Sequence, residues 1–348
     1  MLNPYAGSTN PFPYPSPPTS ASTFPRYSTQ YLYSERMRNA YTQSWNVQVQ
    51  QDLGSGTVFT LGYGGSSASH LPVARELNAA VYIPGASTTA NTNLRRPLAP
   101  ALGSTTLLEA AGSSNYNSLQ ANLRRHMSGG FSVLANYTFS KAIDTSSDTK
   151  TLGQTRTIPT TPRFDRGPAD FDRRHVVNVS TIWEISMPLQ KRVARMLLGG
   201  WEHTMIANYT GGYPFSIYSG RDNALTGTGN QRADVVPGQQ IYFGKRSTAA
   251  TQARYLNPAA FTQNAVGTYG DTGRNAYRGP AYATVDMGLL KNFVVTERVR
   301  AVFRFEAFNI FNHTNLNTPS NTQSNGNFTQ ITAAYDPRVL QFALRLAF

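Results

Sequence analysis

The feature that most constrains the fold is a run of about ten residues in which apolar and polar side chains alternate, repeated along the chain. A period of two places successive side chains on opposite faces of a β-strand and does not fit a helix. The clearest run covers residues 298–309, whose charged positions are Arg298, Arg300, Arg304 and Glu306. The nine runs together are residues 45–51, 57–63, 116–126, 131–142, 175–185, 201–211, 282–293, 298–309 and 338–348.

The connections between these runs alternate in length. Short or moderate links occupy residues 52–55, 127–130, 186–200 and 294–297, whereas residues 64–115, 143–174, 212–281 and 310–337 are long and polar. Outer-membrane β-barrels show this pattern, with short periplasmic turns and long extracellular loops. A soluble β-sandwich or propeller has no reason for such strict alternation. The pattern predicts an antiparallel transmembrane β-barrel whose last strand runs towards the periplasm.

The runs also have the length and the two faces that a membrane requires. In hydrocarbon every backbone N–H and C=O must be paired, and a tilted strand of about 9–11 residues crosses the apolar layer. Leu119, Ala121 and Leu123 would face lipid, with Ser118 and Gln120 on the opposite side. No apolar stretch is long enough for a transmembrane helix. Charged residues make up 14% of the chain, well below the roughly 25% of soluble domains.

One residue fits this assignment poorly. His203 lies on the proposed lipid face of its run. Either it is close to a membrane interface, or the assigned register of that run is shifted by one residue.

Composition and motifs argue against several classes of function. The net charge of +13 suggests nucleic-acid binding as a hypothesis. However, the paired arginines lie in three distant segments, so we predict no nucleic-acid partner. The chain has no Cys and no HExxH, GxSxG or P-loop motif. We therefore expect no enzyme activity and no cofactor.

One group of residues could bind a metal ion. Asp165, Asp170, Asp172 and His175 resemble a Ca²⁺-binding set in an extracellular loop. However, the arginines that intervene would more simply neutralise these carboxylates at a barrel rim; they are Arg166, Arg173 and Arg174. We therefore predict no metal site.

Two sets of residues are candidates for functional roles in a barrel. The first set would face the lumen and contact a plug or an anionic ligand, or simply stay hydrated: Arg298, Arg300, Arg304 and Glu306. The second set shares one face of the last run, which stops on an aromatic residue: Phe342, Leu344, Leu346 and Phe348. A terminal strand of this kind resembles the signal by which the bacterial barrel-assembly machinery accepts its substrates, although an ordinary terminal strand is the simpler alternative.

Several motifs, in order along the chain, resemble TonB-dependent receptors of the Oar-like type. They occupy residues 114–120 (SNYNSLQ), 135–144 (ANYTFSKAID), 171–178 (FDRRHVVN), 199–201 (GGW), 210–215 (TGGYPF), 255–261 (YLNPAAF) and 304–312 (RFEAFNIFN). The resemblance covers residues 41–348. It implies an outer-membrane location, a 22-stranded barrel filled by a plug, and import of a ligand, here unidentified, with energy that the TonB complex delivers from the inner membrane.

The resemblance also implies that this chain is the C-terminal part of such a receptor's barrel. We expect about nine of the 22 strands in residues 41–348, and in residues 1–40 an irregular, Pro-rich remnant of an extracellular loop. The sequence shows no signal peptide, plug or TonB box, and an odd strand number is unusual for bacterial barrels. The alternative is a surface-exposed, adhesin-like β-protein that binds a partner without transport.

Overall fold

The structure is a computed structural model that describes residues 26–147, 155–186, 192–243, 254–294 and 300–347. In chain order the strands are β1 (Ser28–Tyr33), β2 (Tyr41–Gly54), β3 (Thr57–Glu76), β4 (Leu102–Ser128), β5 (Phe131–Asp144), β6 (Gly167–Pro168), β7 (His175–Ile185), β8 (Trp201–Thr210), β9 (Pro214–Phe215), β10 (Asp234–Val235), β11 (Phe261–Thr262), β12 (Tyr277–Arg278), β13 (Tyr282–Val294), β14 (Arg300–Phe308) and β15 (Val339–Ala347). The helices are α1 (Arg192–Leu198) and three 3₁₀ turns, Asn93–Arg95, Pro162–Asp165 and Pro258–Ala260.

Nine long strands form one antiparallel sheet in the order β2-β3-β4-β5-β7-β8-β13-β14-β15. Each of them pairs with the long strand that precedes it in the chain, so the sheet is a simple meander. Each corresponds to one of the nine runs of the sequence, and the all-β, antiparallel fold class is confirmed. Among the described residues the sheet is open, with β2 and β15 at its edges. No helix in the described ranges is long and apolar enough to cross a membrane.

The strand register aligns the apolar faces of all nine strands on one side of the sheet. One row of directly paired residues crosses seven strands from β2 to β13: Val49, Leu61, Ala121, Tyr137, Val177, Tyr209 and Ala283. A second row, Leu289, Phe305 and Phe342, continues the face to β15. Large side chains on this face are exposed, among them Val49 at 67% and Phe342 at 67%. An apolar surface of this extent is suited to lipid and not to water.

His203, which fitted the sequence-based assignment poorly, lies on this apolar face. It pairs with Trp183 on one side and Leu289 on the other, so the predicted register is the observed one. Because His203 is two residues from the start of β8, it lies near the short-turn end of the sheet, where an aromatic, polarisable ring fits a membrane interface.

The connection assigned to residues 64–115 is wrong for much of its length. β3 continues to Glu76 and β4 begins at Leu102, so the true connection is residues 77–101. The extended part of β4 lies beyond the end of β5, and β1 pairs with it there in parallel, from Gln30 opposite Thr105 to Tyr33 opposite Leu108. Residues 28–33 are therefore a strand and not irregular, while the Pro-rich residues 1–25 lie outside the described ranges.

Arginine substitutions on the two faces of β15 test the assignment of the faces. Leu344→Arg places a charge on the apolar face, and we expect it to lower the free energy of unfolding in lipid vesicles by about 2–4 kcal/mol. Gln341→Arg is the control, because Gln341 lies on the polar face opposite Glu306, and its effect should be small. Urea unfolding of the full-length gene product measures both. Equal effects of the two substitutions would contradict the assignment.

Candidate functional site

The long connections fold together at one end of the sheet. We call residues 77–101, 145–174, 211–281 and 309–338, where described, the loop layer. It has a hydrophobic core of its own, drawn from the second half of the chain: Phe215, Ile217, Ala233, Tyr255, Leu256, Ala260, Phe261, Tyr277, Phe328 and Ile331. The ring of Phe261 makes edge contacts with Tyr277 and Phe328, at centroid distances of 5.2 and 5.9 Å. The loops are therefore packed against one another.

Two pairs of short strands support this core. β9 pairs with β12, and β10 pairs with β11, all within the connection between β8 and β13. Burial, aided by the nearby carboxylate of Asp271, raises the pKa of Tyr277 to about 12. The motifs at residues 210–215 and 255–261 supply Phe215, Leu256 and Phe261 to this core.

A buried ion pair joins the loop layer to the sheet. Arg274 binds Asp144, the last residue of β5, and the two side chains are 2% and 3% exposed. Arg274 also donates to Ser147 Oγ at 2.8 Å and to Asp170 Oδ1 at 3.2 Å. Because the two charges are removed from water, each depends on the other for compensation. This contact connects positions 130 residues apart in the sequence.

Two more arginines bind carboxylates of the connection between β5 and β7. Arg232 Nη1 lies 2.8 Å from Asp165 Oδ1, and its guanidinium lies over the ring of Phe164. Burial lowers the pKa of Arg232 from its usual value, while Asp165 opposes that shift. Arg278 pairs with Asp172, whose other oxygen accepts the N–H of Ala142 at 2.6 Å.

The structure therefore does not bring the four candidate metal ligands together. Asp165, Asp170 and Asp172 are each bound by a guanidinium, and within the described ranges no group of three or more acidic or histidine side chains could hold a metal ion. His175 lies on the apolar face, with Nδ1 2.9 Å from the hydroxyl of Tyr137.

The prediction that the adjacent arginines neutralise these carboxylates is wrong. The arginines that bind these carboxylates come from residues 232–278 and not from the adjacent positions 166, 173 and 174. Arg173 instead donates to Thr210 and Gly211 and lies over the ring of Tyr213. Neighbouring residues in an extended chain point in different directions, so closeness in sequence is a poor guide to pairing.

The candidate lumen residues share the polar face of the sheet. Register places Arg300, Arg304 and Glu306 on the side opposite Phe305, and Arg304 lies 3.7 Å from Glu306. Arg298 lies outside the described residues. That this face lines a lumen stays a prediction.

The candidate assembly residues lie on the apolar face of β15. Phe342, Leu344 and Leu346 are 67%, 66% and 60% exposed. Phe348 lies outside the described residues. Their role as an assembly signal also stays a prediction.

Two clefts open in the loop layer. The larger, about 740 Å³, has apolar walls that include Phe164, Val236 and Tyr269. The smaller, about 370 Å³, is polar and is lined by Arg221 and Asp222 among others. Asp222 is held by the N–H groups of Thr226 and Gly227 and by Gln231, whereas the exposed side chain of Arg221 makes no hydrogen bond or ion pair within the described part of the chain. Such clefts are suited to non-covalent binding of small molecules.

Removal of Arg274 tests the buried ion pair. Arg274→Met leaves the carboxylate of Asp144 buried without its cation, and we expect the loop layer to lose about 3–5 kcal/mol of stability. The double variant Arg274→Met/Asp144→Leu should recover most of that loss. Proteolysis of the loops at increasing urea concentration measures the effect, and the exposed Arg221→Met is the control. If Arg274→Met and Arg221→Met are equally resistant to proteolysis, the ion pair does not stabilise the loop layer.

A family model described as an outer membrane beta barrel domain matches residues 1–341. No curated protein sequence matches the chain. The solved structures to which it is similar include the ferripyoverdine receptor of the outer membrane of Pseudomonas aeruginosa (13% identity, 88% of this chain and 27% of that chain, TM-score 0.43). Another is the outer membrane transporter YddB from Escherichia coli (8% identity, 90% of this chain and 33% of that chain, TM-score 0.47). A third is the ferric yersiniabactin uptake receptor FyuA from Yersinia pestis (10% identity, 88% of this chain and 30% of that chain, TM-score 0.41).

The chain spans a third or less of the length of these structures. The first two are described as proteins of the outer membrane, a receptor and a transporter, and the third as an uptake receptor. Because the family model covers nearly the whole chain, the chain belongs to the outer membrane beta barrel domain family, and its location is the bacterial outer membrane.

Proposed function

We propose that the chain forms part of the wall and the extracellular loop layer of a TonB-dependent receptor, which imports an unidentified substrate with energy from the inner membrane. The observation that carries the proposal is the combination of a membrane-spanning sheet with a packed, ion-paired loop layer at its long-loop end. Ordered loops can hold a ligand in one geometry, and the sheet below them borders the route across the membrane.

The open edges of the sheet support a larger barrel. The outer edges of β2 and β15 have no partner strand among the described residues. Unpaired backbone groups cannot remain in hydrocarbon, and this supports our proposal that further strands complete the wall. The Oar-like resemblance supplies the expected total of 22 strands and a plug. In this proposal the TonB complex acts through a region other than the sheet and loops described here.

The alternative function is surface binding without transport. The hydrophobic core and ion pairs of the loop layer favour it as a second candidate, because they would stabilise a binding surface whether or not a route lies below it. The two functions differ in their dependence on energy. Transport needs the inner-membrane proton gradient, and surface binding does not.

Depletion of small molecules from the growth medium distinguishes the two. We expect cells with the full-length gene to remove at least one compound that cells with an in-frame deletion leave behind, and a protonophore should abolish that removal. Removal that persists with the protonophore would favour surface binding. Identical spent media from the two strains would contradict import. Mass spectrometry of a complex medium measures each case.

We further propose that Phe342, Leu344 and Leu346, with Phe348, form the signal for the barrel-assembly machinery. Phe342→Ser should reduce the amount of folded protein in cells severalfold, yet leave refolding into lipid vesicles nearly unchanged. Phe305→Ser is a matched control, since Phe305 is the direct partner of Phe342, with ring centroids 4.9 Å apart. Heat-modifiable gel mobility measures the folded fraction. Equal losses in cells for both variants would mean that position 342 matters only through packing.

A further inference from the structure

The membrane-facing side of the sheet contains a groove that no transport role uses. It has a volume of about 340 Å³ and lies near the long-loop ends of β7, β8 and β13. Its apolar lining is Val177, Ala207, Tyr209, Ala283, Val285 and Phe311. Five of these side chains belong to the apolar face by register, so the groove is continuous with the surface that meets lipid.

The groove exists because β14, which pairs with β13 in antiparallel fashion, ends before it reaches the first residues of β13. Their pairing covers β13 only from Met287 onwards, which leaves the backbone of residues 283–285 paired with β8 on one side and without a strand partner on the β14 side. The side chain of Asn315 replaces that partner by binding both the N–H and the C=O of Ala283, at 2.7 and 2.9 Å. Ile310 N–H donates to the carbonyl of Val285 at 2.8 Å. A turn thus takes the place of a strand, and a cleft remains beside it.

The turn itself is held in a fixed shape. Asn309 and Asn312 adopt the left-handed backbone conformation, with φ of 51° at both, which Asn tolerates better than most residues. The amide of Asn309 binds both the C=O and the N–H of His313, at 3.0 Å each. This closed turn projects Phe311, 71% exposed, along the edge of the groove. Phe311 belongs to the motif at residues 304–312.

One cationic side chain, Arg338, lies beside the polar rim of the groove. His313 lines the groove, and Arg338 Nη1 donates to the carbonyl of Ile310 within the same turn. Arg338 is exposed and forms no ion pair among the described residues. The nearest carboxylate along the chain, that of Asp336, is also exposed and does not pair with Arg338. The lining residues of β8 and β13 lie within four residues of the strand ends, roughly 13 Å.

We propose that this groove binds one acyl chain of an anionic, phosphorylated lipid of the outer leaflet, with the phosphate held by Arg338 and His313. The occupant follows from the continuity of the groove with the lipid-facing surface and from the cationic Arg338 beside its rim. Ala207 and Ala283 leave the space for the chain, and Phe311 covers its side. The site does not depend on what the barrel transports.

Lipid A, a phosphorylated and acylated glycolipid, is the probe for this site. The full-length gene product in detergent is titrated with lipid A, and with phosphatidylethanolamine for comparison, by native mass spectrometry. Ala207→Phe fills the groove and should weaken lipid A binding by about tenfold or more. Ala135→Phe is the matched control, a half-exposed alanine on the same face, paired with Leu123 and Val179. It should bind lipid A as the unaltered protein does.

Arg338→Gln tests the rim without altering the packing of the groove, and it should weaken binding by about fivefold. Heat-modifiable gel mobility shows whether each variant is folded. If Ala207→Phe does not fold, Arg338→Gln and Phe311→Ala decide the matter. Unchanged affinity in the folded variants, an equal loss in Ala135→Phe, or equal affinity for phosphatidylethanolamine would each overturn the proposal.

Discussion

The structure depends on one constraint, the pairing of backbone N–H and C=O groups where no water can bind them. The nine-stranded meander meets it by placing each strand beside the next. Where the ladder is interrupted, another part of the chain supplies the partner. β1 pairs with β4 beyond the end of β5, and the side chain of Asn315 binds β13 beyond the end of β14. Both replacements occur at the long-loop end, where the strands leave the membrane.

The loop layer is organised by a second physical rule, which concerns charge. Two of its buried guanidinium groups lie against carboxylates from distant parts of the chain, Arg274 against Asp144 and Arg232 against Asp165. Such pairs add little net stability compared with apolar residues of the same size, but breaking one is costly. We infer that they select a single arrangement of the loops, and that the aromatic core around Phe261 supplies most of the burial.

These two rules give the molecule two surfaces with different roles. The loop layer presents clefts to the exterior above the sheet, which suits a receptor. The apolar face meets lipid along all nine strands, and near its outer boundary the turn at residues 309–313 interrupts it with a groove that has a cationic side chain beside its rim. In our proposals ligand binding and lipid binding therefore occupy separate sides of the same set of loops.

The sequence by itself determined the nine strands, their order and their two faces, because alternation with a period of two is local and a meander pairs consecutive strands. It did not determine the extension of β3 to Glu76, the strand β1, or the arginines that bind Asp165 and Asp172. Those features join residues far apart in sequence, and no local pattern encodes such contacts. Only the tertiary structure decided them, because a buried charge or an unpaired strand edge is satisfied by whichever group the fold brings to it.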